Sequence, residues 1–82
     1  MFKAKIKVTL KKSVSDPQGQ TVLHALHTLG YQETQDVRIG KYFEVTVDSK
    51  DQPEAEKRIR GMCDQLLMNP VIEDYSVEVL KS

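Results

Sequence analysis

Residues 37–45 read VRIGKYFEV, and this stretch decides how the middle of the chain folds. The apolar side chains in it and just after it fall at odd positions on both sides of a glycine: Val37, Ile39, Phe43, Val45 and Val47. A two-residue hairpin loop at Gly40 and Lys41 reverses that phase, because a shift of one residue sends every following side chain to the other face of a sheet. We therefore exclude this loop.

Two other geometries keep the apolar side chains on one face. A three-residue loop of Gly40, Lys41 and Tyr42 pairs Ile39 with Phe43 and gives the ferredoxin-like order βαββαβ. One long strand bent at Gly40 gives the order βαβαβ, but this strand needs about a dozen residues, more than the usual 3 to 10. Of the two, we favour the hairpin.

The segment before this stretch predicts a strand followed by a helix. From Phe2 to Leu10, apolar residues occupy the even positions and lysines or threonine the odd ones, which is typical of a strand with one buried face. Asp16 can accept the free amides of a helix start, and Pro17 suits the first helical position. An apolar stripe follows, and Gly30 provides a left-handed stop, so this helix should end near Leu29.

The segment after it predicts a second helix and a last strand. Asp51 and Glu54 have the spacing of a capping box, and a second apolar stripe runs from there to the pair Asn69 and Pro70. Because proline removes a helical donor and restricts the residue before it, this helix should end at about Met68. The last strand carries its apolar side chains at odd positions: Val71, Tyr75, Val77 and Val79.

These elements predict one α+β domain over residues 1–82. We expect a two-layer sandwich with both helices on one face of a mainly antiparallel sheet. If the first strand lies between the other two, its lysines at positions 3, 5 and 7 face opposite charges on its neighbours. The acidic residues in question are Glu44, Asp48, Asp74 and Glu78.

Composition narrows the class of protein. Twelve Lys and Arg balance twelve Asp and Glu, which leaves no net positive field of the kind that collects nucleic acid. The single cysteine, Cys63, cannot form an internal disulfide, and no apolar run approaches the ~18 residues of a membrane span. We expect a soluble cytoplasmic protein that binds neither nucleic acid nor a membrane.

The Gly40-Lys41 pair invites comparison with a phosphate-binding loop. Such a loop needs an earlier glycine, whose amides cradle phosphates, and a hydroxyl that holds magnesium. Gln35 stands where that glycine should be, Tyr42 stands where serine or threonine should be, and no helix starts after the pair. We therefore reject a nucleotide site in this chain.

The other reactive side chains also suggest structural roles. His24 and His27 lie three residues apart on the first helix, but no cysteine or carboxylate pattern completes a metal site. Cys63 lies within the apolar stripe of the second helix, where a small buried core residue is the ordinary role. We expect no catalytic residue, metal or cofactor in this chain.

Three segments taken together resemble one known family: SDPQG at 15–19, VRIGKYFEV at 37–45 and LLMNPVIEDYSVEV at 66–79. They resemble PurS, the small subunit of bacterial and archaeal phosphoribosylformylglycinamidine synthase. The resemblance implies a role in de novo purine synthesis, where the complex converts formylglycinamide ribonucleotide, glutamine and ATP to formylglycinamidine ribonucleotide, glutamate, ADP and phosphate. It implies that the large subunit, PurL, holds ATP and Mg and that PurQ is the glutaminase.

The resemblance further implies a non-catalytic subunit that bridges PurL and PurQ, assists ammonia transfer, and forms a homodimer or tetramer. Three segments are then expected to face partners. They comprise Asp16, Pro17, Gln18 and Gly19; Arg38, Gly40 and Lys41; and Asn69, Pro70, Val71, Ile72, Glu73, Asp74 and Tyr75. Because turn chemistry does not demand cations at Arg38 and Lys41, we expect these two residues to contact a partner. Reversing both charges should leave folding nearly intact, as surface changes usually do, and should weaken complex formation.

Two other classes of function fit the same element order. An ACT-like domain that senses a small molecule shares the order βαββαβ and predicts amino-acid binding. An RNA-binding module of this order stacks bases on exposed aromatic side chains. The first strand offers lysines and threonine instead, which disfavours that class.

Overall fold

The computed structural model describes residues 1–82 and has the element order βαβαβ. A five-residue π-helical turn continues the second helix, and it is followed by a turn that leads to the last strand. The elements are β1 (Phe2–Leu10), α1 (Pro17–Thr28), β2 (Gly40–Val47), α2 (Gln52–Met62), the π turn (Cys63–Leu67) and β3 (Glu73–Lys81).

The three strands form one antiparallel sheet in the order β2-β1-β3. The central strand β1 buries its even residues as predicted, and α2 covers them. The buried apolar core is small and consists of Phe2, Ala4, Ile6, Val8, Ala55, Ile59, Cys63 and Val79. The α+β class and its two layers are confirmed.

The hairpin that we favoured at Gly40–Tyr42 is wrong. Residues 40–47 form a single strand, and the segment 37–39 before it lies outside the sheet. The reason is hydrogen bonding to a distant segment: the Ile39 amide donates to the Asp16 carboxylate and the Arg38 guanidinium donates to the carbonyls of Lys11 and Val14, so residues 38 and 39 bind the loop before α1. The alternative order βαβαβ is correct, but its long strand bent at Gly40 is not observed, since β2 has eight residues and begins at Gly40.

The predicted helix boundaries are confirmed. Asp16 and Asp51 cap α1 and α2, because their side chains accept hydrogen bonds from the backbone amides of Gly19 and Glu54. Each amide lies three residues after its capping aspartate. Gly30 has φ of 103° directly after the C-cap of α1, a conformation that glycine adopts without steric cost. The π turn ends at its C-cap, Met68, where the second helix was expected to stop.

Charges on the outer face of the sheet pair only in part as predicted, because, of the lysines at positions 3, 5 and 7, only Lys3 makes an ion pair. Lys3 Nζ lies 3.0 Å from Glu44, and Lys11 Nζ lies 4.0 Å from Asp74. Glu78 stands opposite Lys5 in the β1–β3 register. Asp48 follows the end of β2 and makes no ion pair.

Only α2 packs extensively on the sheet of its own chain. The α1 arm, which we define as residues 17–39, extends beyond the end of the sheet, and its return segment runs back along α1 through a His27 Nε2 contact of 2.8 Å to the Thr34 carbonyl. The chain measures 51 × 27 × 14 Å, and its radius of gyration of 16.3 Å exceeds the about 12 Å of a compact chain this long. No helix is long and apolar enough to span a bilayer.

Candidate partner-binding site at the loop junction

The three segments that the resemblance implicates meet at one end of the sheet. We call this place the loop junction and define it by residues 11–19, 37–41 and 69–74. It forms there because β1 ends where β2 and β3 begin, with Thr9 opposite Gly40 and Leu10 opposite Glu73. The antiparallel topology therefore gathers segments that are far apart in sequence.

Asp16 is the central residue of the loop junction. Its side chain is only 4% exposed, and its two carboxylate oxygens accept from different segments. Oδ2 accepts from the Ile39 amide at 2.8 Å, and Oδ1 accepts from the Gly19 amide at 2.9 Å. The Ile39 bond, then the Gly19 bond, hold the pKa of Asp16 below its ordinary value, because both stabilise the charged carboxylate.

This bonding predicts a specific acid sensitivity. Since the pKa of Asp16 is lower in the folded chain, the carboxylate stabilises the fold above its unfolded pKa of about 4, and that stability is lost as pH falls through the folded pKa. Asp16→Asn should lower the urea midpoint at neutral pH, because the amide nitrogen is a donor and cannot accept from Ile39. Its midpoint should also fall less than that of the wild type between neutral pH and strong acid. Parallel acid profiles would contradict this role.

Two glycines let backbone segments approach each other closely. A Cβ at Gly19 would overlap the carbonyl oxygen of Val37 and lie 2.8 Å from Asp16 Oδ2. A Cβ at Gly40 would overlap the carbonyl oxygen of Val8 on the neighbouring strand. Glycine is therefore required here for packing between segments, in addition to any contact with a partner.

Arg38 ties the loop junction together from the outside. One guanidinium nitrogen, Nη2, donates to the carbonyl oxygens of Lys11 at 3.0 Å and Val14 at 2.9 Å. The expectation that charge reversal leaves folding intact therefore does not hold for Arg38, since a carboxylate there would face two carbonyl acceptors. Sequence reasoning missed Lys11 and Val14 in this role, and their side chains give no signal because the contact is to backbone.

Lys41 and Glu73 join β2 to β3 across the end of β1. Lys41 Nζ lies 3.5 Å from one Glu73 oxygen, while the other accepts from the Asn69 amide at 2.6 Å. The Glu73 side chain is mostly buried and the Lys41 side chain is mostly exposed. Lys41 therefore remains accessible while Glu73 serves the fold.

The turn at residues 69–72 is held by several hydrogen bonds. Asn69 Oδ1 accepts from the Val71 amide at 3.0 Å, and the Asn69 carbonyl accepts from the amides of Ile72 and Glu73. The Ile72 carbonyl in turn accepts from the Lys11 amide at 2.9 Å, and Pro70 lies within the turn. The turn thus presents the Val71 side chain, 78% exposed, from a braced backbone.

The remaining predicted residues divide between surface and core. Pro17 and Gln18 are exposed at the start of α1, and Asp74 is exposed beside Lys11. Tyr75 is different, because its ring packs against the core and its hydroxyl lies 3.5 Å from Arg60 on α2. The structure therefore brings together every predicted segment but directs Tyr75 away from the loop junction.

A second polar group lies on the outer face of the sheet, and its Tyr42 contact was not predicted. The Tyr42 hydroxyl donates to Glu44 at 2.9 Å, and Glu44 also pairs with Lys3. The Glu44 bond raises the pKa of Tyr42, while Lys3 and then Tyr42 lower the pKa of Glu44.

Replacing Glu44 should change the titration of Tyr42 in a known direction. The carboxylate stabilises the protonated phenol, so Glu44→Gln should lower the pKa of Tyr42 toward the ordinary value of about 10. Ring resonances followed by NMR against pH measure this, and Tyr31 serves as the internal control. An unchanged Tyr42 titration would mean that the hydrogen bond does not persist in solution.

The cysteine and the two histidines lie in different surroundings. Cys63 is fully buried in the core, as predicted, and burial followed by the nearby Asp64 charge raises the pKa of its thiol. His24 is exposed, and His27 contacts the Thr34 carbonyl within the α1 arm. What the arrangement offers is a braced, exposed surface at the loop junction.

Comparisons with known proteins agree with this description. The sequence model of the family "PurS: Phosphoribosylformylglycinamidine (FGAM) synthase" matches residues 3–81. The phosphoribosylformylglycinamidine synthase subunit PurS of Bacillus subtilis is 53% identical over 79 residues, which cover 96% of this chain and 93% of that protein.

Solved structures agree as well. A crystal form of B. subtilis PurS superposes with a TM-score of 0.90 at 52% identity, over 99% of this chain and 100% of that one. A chain in the structure of PurLQS from Thermotoga maritima superposes with a TM-score of 0.89 at 32% identity, over 96% of both chains. The chain belongs to the PurS family of phosphoribosylformylglycinamidine synthase subunits.

Proposed function

We propose that this chain bridges PurL and PurQ in a phosphoribosylformylglycinamidine synthase and does not itself catalyse a step. The complex would amidate formylglycinamide ribonucleotide with ammonia released from glutamine, at the expense of ATP. The chain would hold the two enzymes so that ammonia passes between them. The structure of PurLQS from T. maritima, in which one chain superposes on this one, supports this set of partners.

The observation that carries the bridging role is the braced turn of the loop junction. Val71 is a large apolar side chain that is 78% exposed on a turn whose backbone is fixed by neighbouring hydrogen bonds. An ordered backbone reduces the entropy that binding must overcome, and an apolar side chain gains by leaving water. We therefore place a contact with a larger subunit at Val71 and Ile72, flanked by Lys41.

The remaining parts of the proposal concern what this chain lacks and where it works. It would hold no cofactor, because ATP and Mg would bind to the large subunit. It would act in the cytoplasm as a homo-oligomer, either a dimer or a tetramer.

Reconstitution tests the proposal directly. PurL and PurQ mixed without this chain should show little or no glutamine-dependent synthase activity, and adding the chain should restore it. Ammonium salt supplied to PurL should bypass the requirement, because a bridge is not needed when ammonia is already in solution. Full glutamine-dependent activity without the chain would refute the bridge, and dependence of the ammonium reaction on the chain would refute its non-catalytic character.

A charged residue in the turn should separate binding from folding. Val71→Asp should weaken assembly with PurL and PurQ at least about tenfold, since it forces a carboxylate into an apolar contact. Its own unfolding free energy should change by no more than about 0.5 kcal/mol, because the side chain is exposed. Leu80→Asp is the matched control, because Leu80 is an exposed apolar residue near the other end of the sheet, opposite Lys3. Equal assembly by both variants would move the contact away from this turn.

A further inference from the structure

The loop junction turns its cations outward and its acids inward. Its segments contain four cations, and all of them reach solvent: Lys11, Lys12, Arg38 and Lys41. Of its three acids, Asp16 is buried and Glu73 is mostly buried, and both accept hydrogen bonds from backbone amides. Only Asp74 is exposed. A chain without net charge therefore presents a positive surface at this end of the sheet.

The cations lie around the turn at residues 69–72. The Lys11 amide donates to the Ile72 carbonyl at 2.9 Å, and Arg38 donates to the Lys11 carbonyl at 3.0 Å. The residue after Lys11 is a further exposed lysine, and Lys41 contacts the residue that follows Ile72. The exposed apolar part of the turn therefore lies among positive charges.

These charges are available to a partner. Lys12 and Arg38 make no ion pair within the chain. Lys11 lies 4.0 Å from its acid and Lys41 lies 3.5 Å from its own, whereas a charge-assisted hydrogen bond measures about 2.7–2.9 Å. Contacts this long are weak, so both lysines can turn to carboxylates that approach more closely.

The loop junction does not offer a cradle for phosphate. A phosphate is held by backbone amides that point toward it. The amides on the three segments that meet here donate to acceptors of their own chain, namely those of Gly19, Ile39, Val71, Ile72 and Glu73. The positive charges stand instead on long side chains around an apolar centre, which suits the surface of a protein.

A single strand of nucleic acid fits less well than a protein. Proteins that bind single strands stack the bases on exposed aromatic rings. The loop junction contains no aromatic residue, and the ring of Tyr75 beside it packs against the core. Its most exposed large side chain is Val71, which gains by leaving water.

We propose that the loop junction receives an acidic surface of a partner subunit, in which carboxylates surround an apolar centre. Val71 and Ile72 enter that centre, and the cations meet the carboxylates around it. The proposed contact rests on the bridging role and deepens it by naming the chemistry of the docked surface. Complementary charges at the border of an interface act mainly on the rate of association, and salt screens them.

The double variant Lys12→Glu with Lys41→Gln tests this contact in the complex. It should assemble with PurL and PurQ at least about tenfold more slowly at low salt, because two of the four cations are removed. The wild-type rate should fall steeply as ionic strength rises, and the variant rate should fall less. Stopped-flow assembly measures both rates. Glutamine at position 41 adds no acid beside Glu73, so the urea midpoint should match that of the wild type.

Lys50→Glu with Lys81→Gln is the matched control. It changes the net charge by the same amount, and both lysines are exposed, lie outside the loop junction and make no ion pair. This control should assemble at the wild-type rate. Equal slowing by both double variants, or a wild-type rate that does not depend on salt, would overturn the acidic partner surface.

Two other results would assign the cations to a different partner. Binding of single-stranded RNA by the wild-type chain, lost in Lys12→Glu with Lys41→Gln, would assign them to nucleic acid. Loss of self-association by that variant in sedimentation equilibrium would place them between copies of the chain. Either result would overturn the proposed contact, which requires no RNA binding and unchanged self-association.

Reconstitution reports the bridging role separately. If the chain is dispensable for glutamine-dependent activity, the bridge itself fails. If the chain is required but its assembly is insensitive to these charges, the bridge stands and only the acidic partner surface fails.

Discussion

Ile59→Ala is expected to lower the free energy of unfolding by about 2–5 kcal/mol, the range for truncating a buried aliphatic side chain. Ile59 is fully buried, and it is among the largest residues of a core of only eight. Native proteins have a total stability of about 5–15 kcal/mol, and a domain this small lies near the low end of that range, so the substitution should remove a large share of the stability. Urea denaturation at a fixed protein concentration measures the effect.

The matched control lies about two turns further along the same helical segment. Leu66 is 82% exposed, so Leu66→Ala should change the unfolding free energy by no more than about 0.5 kcal/mol. If both variants were equally mild, α2 would not pack on the sheet as described. A loss confined to Ile59→Ala would show that the single layer of α2 carries the stability of the sheet.

Gly19→Ala is expected to detach the α1 arm from the loop junction. The added methyl group overlaps the carbonyl oxygen of Val37, which belongs to the backbone and cannot rotate away, and it crowds Asp16 Oδ2. Relief requires Asp16 to give up its bond to Gly19 or Ile39, at a cost of about 1–3 kcal/mol for overpacking of this kind. Hydrogen exchange of the Ile39 amide measures the detachment, because that amide loses its protected acceptor.

Gln20→Ala provides the comparison for this change. Gln20 is the next residue of α1 and is exposed, so its replacement by a good helix former should leave both stability and exchange at Ile39 nearly unchanged. Faster exchange in both variants would mean that the arm opens by general fraying of α1. Faster exchange only in Gly19→Ala would assign the effect to the close approach.

The sequence predicted correctly those structural features that depend on residues close together in the chain. The alternation in β1, the aspartate caps of both helices and the stop at Gly30 each involve residues within a turn or two, and each is confirmed. The hairpin prediction was wrong because a single strand places the same apolar side chains on one face equally well. What decides between the two geometries is the capture of Ile39 and Arg38 by a loop more than twenty residues earlier, which periodicity does not contain.

The candidate site shows the same division. The resemblance selected segments that the topology does gather at one end of the sheet, and the turn at Asn69 and Pro70 is as sharp as its residues suggest. It did not separate side chains that brace the loop junction, such as Asp16 and Glu73, from those that remain accessible, such as Lys41 and Val71. Burial and long-range hydrogen bonds make that distinction, and neither can be read from spacing.

The single buried thiol reports how often the packing of α2 on the sheet opens to solvent. Cys63 lies where α2 passes into the π turn, and the sheet covers its side chain. A thiol reagent can therefore react only when the helical segment separates from the sheet. Since the chain has no other cysteine, the modification rate of the unaltered protein counts these openings without an added probe. Opening of the α1 arm and opening of the α2 packing can therefore be measured separately in one sample. Amide exchange at Ile39 reports the first, and the rate of thiol modification at Cys63 reports the second.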